Sequence, residues 1–263
     1  MNNLEQGRNY DEVRSRIKDF YNSFQAQNFV FPEKYWQMDE GLYQKIKEFS
    51  IHESRKLSDQ YKNSLLSPIL DGDQGLIAHI DCMTSIFEKL WEFDNFRKLF
   101  PEGTTFSFVK FLVLAHDYSR FIFNGHFPIT YVDWVGDALN ERRFFPEVNF
   151  DPYLHSIRYI TGEKDMPDPG KYPLIYIFKA VDSLGKRGRN PEDFFGPSYD
   201  QWLQKQIESG RFPIRVRKDG KIIEISAQEY KKNDQFMIKK GLEIINKITG
   251  VSFEEILKSI NSH

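Results

Sequence analysis

The stretch FSFVKFLVLAHDYSRFIF, at positions 106–123, contains one of the longest apolar runs of the chain. Apolar residues fill positions 108–115, and Lys110 is their only interruption. A helix that is apolar on nearly all sides is typical of the centre of a globular protein. The stretch therefore predicts a buried central helix, with the dipeptide His116-Asp117 near its end.

Periodic apolar residues predict further helices on both sides of this stretch. His79, Met83, Ile86 and Leu90 follow one another at intervals of four, three and four, as on one face of a helix. Predicted helices span residues 11–27, 34–57, 76–96, 106–123, 129–143, 151–159, 172–185, 227–248 and 252–260. The break 101–103 lies before the central helix, which Thr104 or Thr105 is expected to cap.

Residues 212–225 have the pattern of a β-hairpin, because Asp219-Gly220 lies between two apolar runs and favours a tight turn. The predicted fold class is therefore mainly α with one small hairpin. We expect residues 1–70 to form an N-terminal helical extension packed on the body. Residues 71–190 form the core, and residues 191–263 add the hairpin and helices that complete the same domain.

The composition excludes several classes of protein. The 263 residues carry 36 Lys and Arg against 38 Asp and Glu, a formal net charge of −2. Hydrophobic residues make up 40% and aromatic residues 16%, which excludes a wholly disordered chain and predicts a solid core. The near-neutral charge argues against nucleic-acid binding through bulk charge. The single cysteine, Cys82, excludes an internal disulfide and a cysteine-based zinc cluster.

The N-terminal residues Met1 to Gln6 are polar and lack the apolar run of a signal peptide. Apolar stretches elsewhere are shorter than the roughly 20 residues that a membrane span needs. We therefore expect a soluble, cytoplasmic protein without a membrane partner. Homo-oligomerisation stays open.

Three helices that are predicted to be buried carry side chains suited to a metal ion. His79 lies on the apolar stripe of its helix, and Asp182 ends the apolar run 175–182. His116 and Asp117 end the central helix, where an unpaired charge would be costly. Imidazole and carboxylate groups that converge from rigid elements suit a divalent cation. One metal ion bound by these four residues would satisfy all four groups.

The order of these residues resembles the pattern of the HD-domain superfamily of metal-dependent phosphohydrolases, which is a His, a His-Asp pair and a distant Asp on separate helices. His116 follows His79 by 37 residues, and Asp182 follows Asp117 by 65. The local motifs are similar too: AHIDCM at 78–83, LAHD at 114–117, VGDAL at 135–139, RRFFP at 142–146 and KAVDSL at 179–184. The resemblance covers residues 76–188 and implies an HD-domain-like helical bundle.

The resemblance implies one metal ion rather than two. Members of the family with two metals carry extra histidines on the two helices between the His-Asp pair and the last Asp. The corresponding positions here, 131–132 and 159–160, hold no histidine. His126 and His155 lie off these positions, and whether either adds a second metal stays open. The donor set suits Mn, Co, Ni, Fe or Zn.

The reaction that the resemblance implies is hydrolysis of a phosphate ester, with Asp117 orienting or deprotonating the attacking water. Some members of the family carry Lys where this chain has Arg120, whose guanidinium fork suits phosphate oxygens. Arg142 and Arg143 are further candidates for neutralising phosphate charge, and Tyr118 or Tyr159 is a candidate for stacking on a base. The expected substrate is a nucleotide or another small phosphate ester.

Other interpretations of the same residues stay open. A catalytically silent HD-fold module for regulation or interaction would explain the long segments that precede and follow the core. Asp182 would then be a helix-face carboxylate paired with Lys179 or Lys186, and Arg142-Arg143 a solvated pair. A metal-dependent oxygenase on the same fold is disfavoured by the missing second-metal histidines.

Overall fold

The computed structural model describes residues 19, 22–23, 26–60, 73–122, 168–170, 173–185, 197–208, 210, 214–218 and 221–261. Within these residues the chain is mainly helical, as the sequence predicts, with one antiparallel pair of strands. The elements are a 3-10 helix Tyr35–Gln37, α1 Glu40–Gln60, α2 Asp73–Trp91, α3 Asp94–Arg97, α4 Phe106–Ile122, α5 Pro173–Gly185, α6 Pro197–Glu208, β1 Ile214–Lys218, β2 Lys221–Ile225, α7 Ala227–Thr249 and α8 Phe253–Asn261.

The chain divides into two compact units. The first comprises residues 1–84 and 101–143, and the second comprises residues 85–100 and 144–263. In the first unit the described elements are the 3-10 helix, α1, the N-terminal part of α2, and α4. The second unit contains the end of α2 and the remaining described helices with the hairpin. The predicted division into residues 1–70, 71–190 and 191–263 stays a prediction.

In the first unit, α1 and α4 begin side by side. The Thr105 hydroxyl donates to the Met38 carbonyl oxygen at 2.5 Å, and the Ser107 hydroxyl donates to Glu40 Oε2 at 2.7 Å. Lys110 Nζ donates to Glu40 Oε1 at 2.8 Å. Thr105 also caps α4, since its Oγ1 accepts from the backbone N–H of Phe108 at 3.3 Å. The expectation that Thr104 or Thr105 caps this helix is confirmed for Thr105.

The central helix α4 is buried as its apolar sequence predicts. Six residues of its first half are fully buried: Phe108, Val109, Phe111, Leu112, Val113 and Leu114. Close packing of such side chains is what stabilises a helix in a core. The same burial extends to Tyr43 and Ile46 of α1, the helix that packs against it.

In the second unit, α5 and α7 pack against each other at very short range. A Cβ atom on Gly241 of α7 would lie 2.7 Å from the Ala180 Cβ and 2.8 Å from the Tyr176 carbonyl carbon. Carbon atoms in proteins pack at about 3.5–4.0 Å. The crossing of the two helices therefore requires glycine at position 241.

An aromatic cluster completes the core of the second unit. The Phe87 ring of α2 lies 4.3 Å from the Phe178 ring of α5, between centroids, and 6.0 Å from the Phe96 ring. Phe100 lies 5.4 Å from Phe96 and 5.5 Å from Trp91, with edge-to-face geometry. Such pairs stabilise beyond the area they bury. Some of the chain's many aromatic residues therefore form part of the core of the second unit.

The predicted hairpin is confirmed. β1 and β2 pair antiparallel, with Ile214 opposite Ile225 and Lys218 opposite Lys221. Ser226 then caps α7 by accepting from the backbone N–H of Glu229 at 3.2 Å. The bounds of α7 and α8 agree with the predicted 227–248 and 252–260 to one residue at each end.

Two helix predictions were wrong in part. One predicted helix ends earlier than expected, and the other is divided into two elements. The helix predicted over 76–96 ends at Trp91, because Arg97 Nη1 donates to the carbonyl oxygens of Trp91 at 2.6 Å and Glu92 at 3.3 Å. The stretch predicted over 34–57 is a 3-10 turn followed by α1, and Asp39 Oδ1 accepts from the Leu42 backbone N–H at 2.7 Å. An N-cap at position 39 starts a new helix there.

Helix α6 was not predicted at all, although Tyr199 and Leu203 have helical spacing and are buried. The predicted helices 129–143 and 151–159, and most of 11–27, lie outside the described residues. Among the helices that the structure describes, none has the length and apolar character needed to span a membrane.

Substitution of Gly241 by Ala is expected to destabilise the protein by about 2 kcal/mol, because the added methyl group overpacks the crossing of α5 and α7. Urea unfolding monitored by circular dichroism measures the change. Gly250→Asn is the control, since Gly250 has φ +74° and nothing within 4 Å of a Cβ atom. Asn tolerates that conformation, so the control should change stability by less than about 0.5 kcal/mol. Equal stability of wild type and Gly241→Ala would contradict the close crossing.

The Glu40 cluster predicts a pH-dependent contribution to stability. Partial burial raises the pKa of Glu40, but hydrogen bonds from Lys110, Ser107 and Gln44 outweigh it and lower the pKa to about 2. A carboxyl group whose pKa is lower in the folded state stabilises the protein above the unfolded value of 4.5. That contribution is lost as the pH falls through about 2.

Glu40→Gln should therefore lower the free energy of unfolding at pH 7 by about 0.5–1 kcal/mol, since solvent screens this exposed pair. The difference from wild type should shrink as the pH falls from 5 to 2. Urea unfolding at several pH values measures it, and Glu48→Gln, an exposed carboxylate on the same helix, controls for the loss of one negative charge. A difference that stays constant down to pH 2 would contradict the assignment.

Candidate functional site

His79 lies on α2, in the part of the helix that belongs to the first unit. Position 79 is four residues before Met83 and seven before Ile86, and both of these are buried. Position 79 therefore shares a helical row with Met83 and Ile86. The His79 side chain lies outside the described part of the structure.

His116 and Asp117 lie near the end of α4, which continues to Ile122. Val113 is three residues before His116 and four before Asp117, and it is fully buried. Both positions therefore lie on the same side of the helix as Val113. Tyr118 and Arg120 follow on the same helix. The side chains from 115 to 120 lie outside the described part.

Asp182 is the one predicted metal ligand whose side chain is described. It lies in the last turn of α5, and only 5% of the residue is exposed. Its neighbours Ile177, Phe178 and Val181 are fully buried. Burial of an ionised carboxylate is costly unless a cation compensates it. Asp182 is therefore an inward-facing acid.

A buried ion pair lies one turn from Asp182. Lys179 Nζ pairs with Asp234 Oδ1 of α7, and Asp234 is 8% exposed while Lys179 is 21% exposed. The Tyr199 hydroxyl of α6 donates to Asp234 Oδ2 at 3.1 Å. The three residues join α5, α6 and α7 around one carboxylate. Charge-assisted hydrogen bonds of this kind are the strong ones in proteins.

The electrostatics of Lys179 reflect both neighbouring acids. Burial by itself lowers the pKa of the Lys179 ammonium, but the Asp234 carboxylate raises it well above its ordinary value. Tyr230 and Asp182 act in the same direction. Lys179 is therefore a permanent cation at neutral pH, and its charge reaches Asp182 as well as Asp234.

Sequence reasoning missed Asp234 and Tyr199. Asp234 lies four residues after Tyr230 and seven before Gly241, on the inner face of an amphipathic helix. The sequence signal that could have identified Asp234 was a carboxylate on the largely apolar face of an amphipathic helix. The alternative partner named for Asp182, Lys186, lies outside the described residues, as do Arg142, Arg143, His126 and His155.

The donor chemistry of Asp182 is compatible with a divalent metal ion, because a buried carboxylate oxygen is a ligand for such ions. Among the side chains that the structure describes, no group of three or more His, Cys, Asp or Glu residues is placed to hold a metal ion. The side chains of His79, His116 and Asp117 lie outside that set. The four-residue metal centre stays a prediction.

Comparisons with known proteins add no further assignment. No model of a protein family, no curated protein and no solved structure matches the chain. The resemblance to the HD-domain superfamily accordingly depends on the order and spacing of His79, His116, Asp117 and Asp182 in the sequence.

Asp234→Asn should destabilise the protein by about 2 kcal/mol, because it leaves the Lys179 ammonium buried without its counter-charge. Thermal and urea unfolding measure the loss. The matched control is Asp200→Asn, which removes the pair of Lys231 of α7 with Asp200 of α6, whose carboxylate is 58% exposed. Exposed pairs contribute about 0.5 kcal/mol, so the control should change little. Equal losses in the two variants would contradict the buried role of Asp234.

Proposed function

We propose that the chain is a metal-dependent phosphohydrolase that acts on a nucleotide or another small phosphate ester. The observation that carries the proposal is the burial of Asp182, 5% exposed, at the end of an apolar helix. The helical spacing of His79 from the buried Met83, and of His116-Asp117 from the buried Val113, supports it. A cytoplasmic location is part of the same proposal.

His79, His116, Asp117 and Asp182 would hold one divalent ion. When bound, such an ion lowers the pKa of a bound water and polarises a phosphoryl group. Asp117 would orient the attacking water and accept its proton. The Arg120 guanidinium, one turn further along α4, would pair with phosphate oxygens through its two-pronged geometry. Arg142, Arg143 and Tyr118 are the remaining candidates for substrate contacts.

A catalytically silent regulatory or interaction module is the second candidate function. The observation that favours it is the charge of Lys179, which compensates Asp182 in part without a metal ion. In that case the buried acids of α5 and α7 would be purely structural. The two functions differ in whether the folded chain binds a metal ion.

Elemental analysis of the purified wild type and of Asp117→Ala distinguishes the two functions. We expect about one transition-metal ion per wild-type chain and almost none in the variant, because loss of even an outer-shell partner weakens metal affinity 10- to 100-fold. Asp81→Asn is the control, since Asp81 lies two residues from His79 but is 57% exposed and pairs with Lys47. It should retain the metal.

Release of phosphate from a panel of nucleotides and phosphate esters then measures activity. His116→Ala and Asp182→Ala should lose at least about 100-fold in activity while keeping the circular dichroism spectrum of the wild type. A folded wild type without metal, even after incubation with Mn, Co or Ni, would overturn the proposal in favour of the silent module.

A further inference from the structure

The ion pair of Lys179 and Asp234 and the predicted ligand Asp182 form one charged cluster in the second unit. Lys179 and Asp182 are three residues apart on α5, and residues at that spacing lie on the same face of a helix. Asp234 approaches Lys179 from α7, and the Tyr199 hydroxyl holds its second oxygen at 3.1 Å. The cluster therefore contains two carboxylates and one ammonium.

The charges of this cluster have opposite effects on a cation at Asp182. The Lys179 ammonium repels a divalent ion, whereas the Asp234 carboxylate beside it offsets that repulsion. All three groups are largely buried, so that solvent screens these interactions less than it would at the surface. Neutralising Asp234 alone would leave the repulsion uncompensated.

Resting on the proposed function, we infer that Asp234 is a positioning and charge-balancing residue of the metal centre. It acts through Lys179 to let Asp182 bind a divalent cation. Tyr199 orients the Asp234 carboxylate for this role. A purely structural ion pair would behave differently, because loss of either partner would then weaken metal binding through the same loss of stability.

Calorimetric titration with Co²⁺ tests the inference on the full-length chain. D234N should bind Co²⁺ about 10- to 100-fold more weakly than the wild type, the usual effect of removing an outer-shell partner. K179M should lose stability as D234N does, yet bind Co²⁺ at least as tightly as the wild type. The double variant K179M/D234N removes both charges and should return to within about threefold of the wild type. D200N, at the exposed pair between α6 and α7, should leave Co²⁺ affinity unchanged.

The outcomes separate this inference from the proposed function. Two outcomes would overturn the inference alone, provided that the wild type binds Co²⁺. In the first, D234N binds Co²⁺ as tightly as the wild type. In the second, K179M loses as much Co²⁺ affinity as D234N does. Failure of the folded wild type to bind Co²⁺, Mn²⁺ or Ni²⁺ would overturn the proposed function and the inference with it. If D234N does not fold, K179M should bind Co²⁺ about tenfold more tightly than K179M/D234N, because only K179M keeps the Asp234 charge. Equal affinities of those two variants would overturn the inference.

Discussion

The balance of buried charge between α5 and α7 is the constraint on which the second unit depends. Asp182 and Asp234 are both buried carboxylates, and each ion taken out of water costs several kcal/mol unless it is compensated. Lys179 pairs with Asp234, and its charge also reaches Asp182. The pairing requires α7 to lie close to α5, and Gly241 allows that approach because a side chain there would overlap Ala180. Packing and electrostatics therefore select the same helix crossing.

The first unit is organised by the shared starting point of α1 and α4. The Glu40 carboxylate accepts from Ser107 and Lys110, and the Thr105 hydroxyl joins the first turn of α4 to the Met38 carbonyl. Helix α4 is continuous to Ile122. The contacts that hold its first turn against the start of α1 therefore also determine the position of its last turns relative to the start of α1. The positions of His116 and Asp117 follow from contacts made two to three turns earlier.

The elements that were predictable from sequence are those with strong local signals. The bounds of α4 agree to one residue because positions 108–115 are apolar apart from Lys110, and the hairpin follows from Asp219-Gly220 between apolar runs. The end of α2 at Trp91 was not predictable, since apolar residues continue to Phe96 and it is Arg97 that caps the carbonyl groups. Helix α6 was missed because it is mostly polar, and its buried residues depend on the packing of α7.

For the candidate site, the sequence by itself determined the helices that carry His79, His116-Asp117 and Asp182, and the inward-facing position of Asp182. It left open whether Lys179 pairs with Asp182. The tertiary structure decided that Lys179 pairs with Asp234, on a helix that begins more than forty residues later in the chain. The physical reason is that the spacing of apolar residues along one helix is a local property, and it determines only which face of that helix is buried. The partner of a buried charge depends on which distant helix packs against that face.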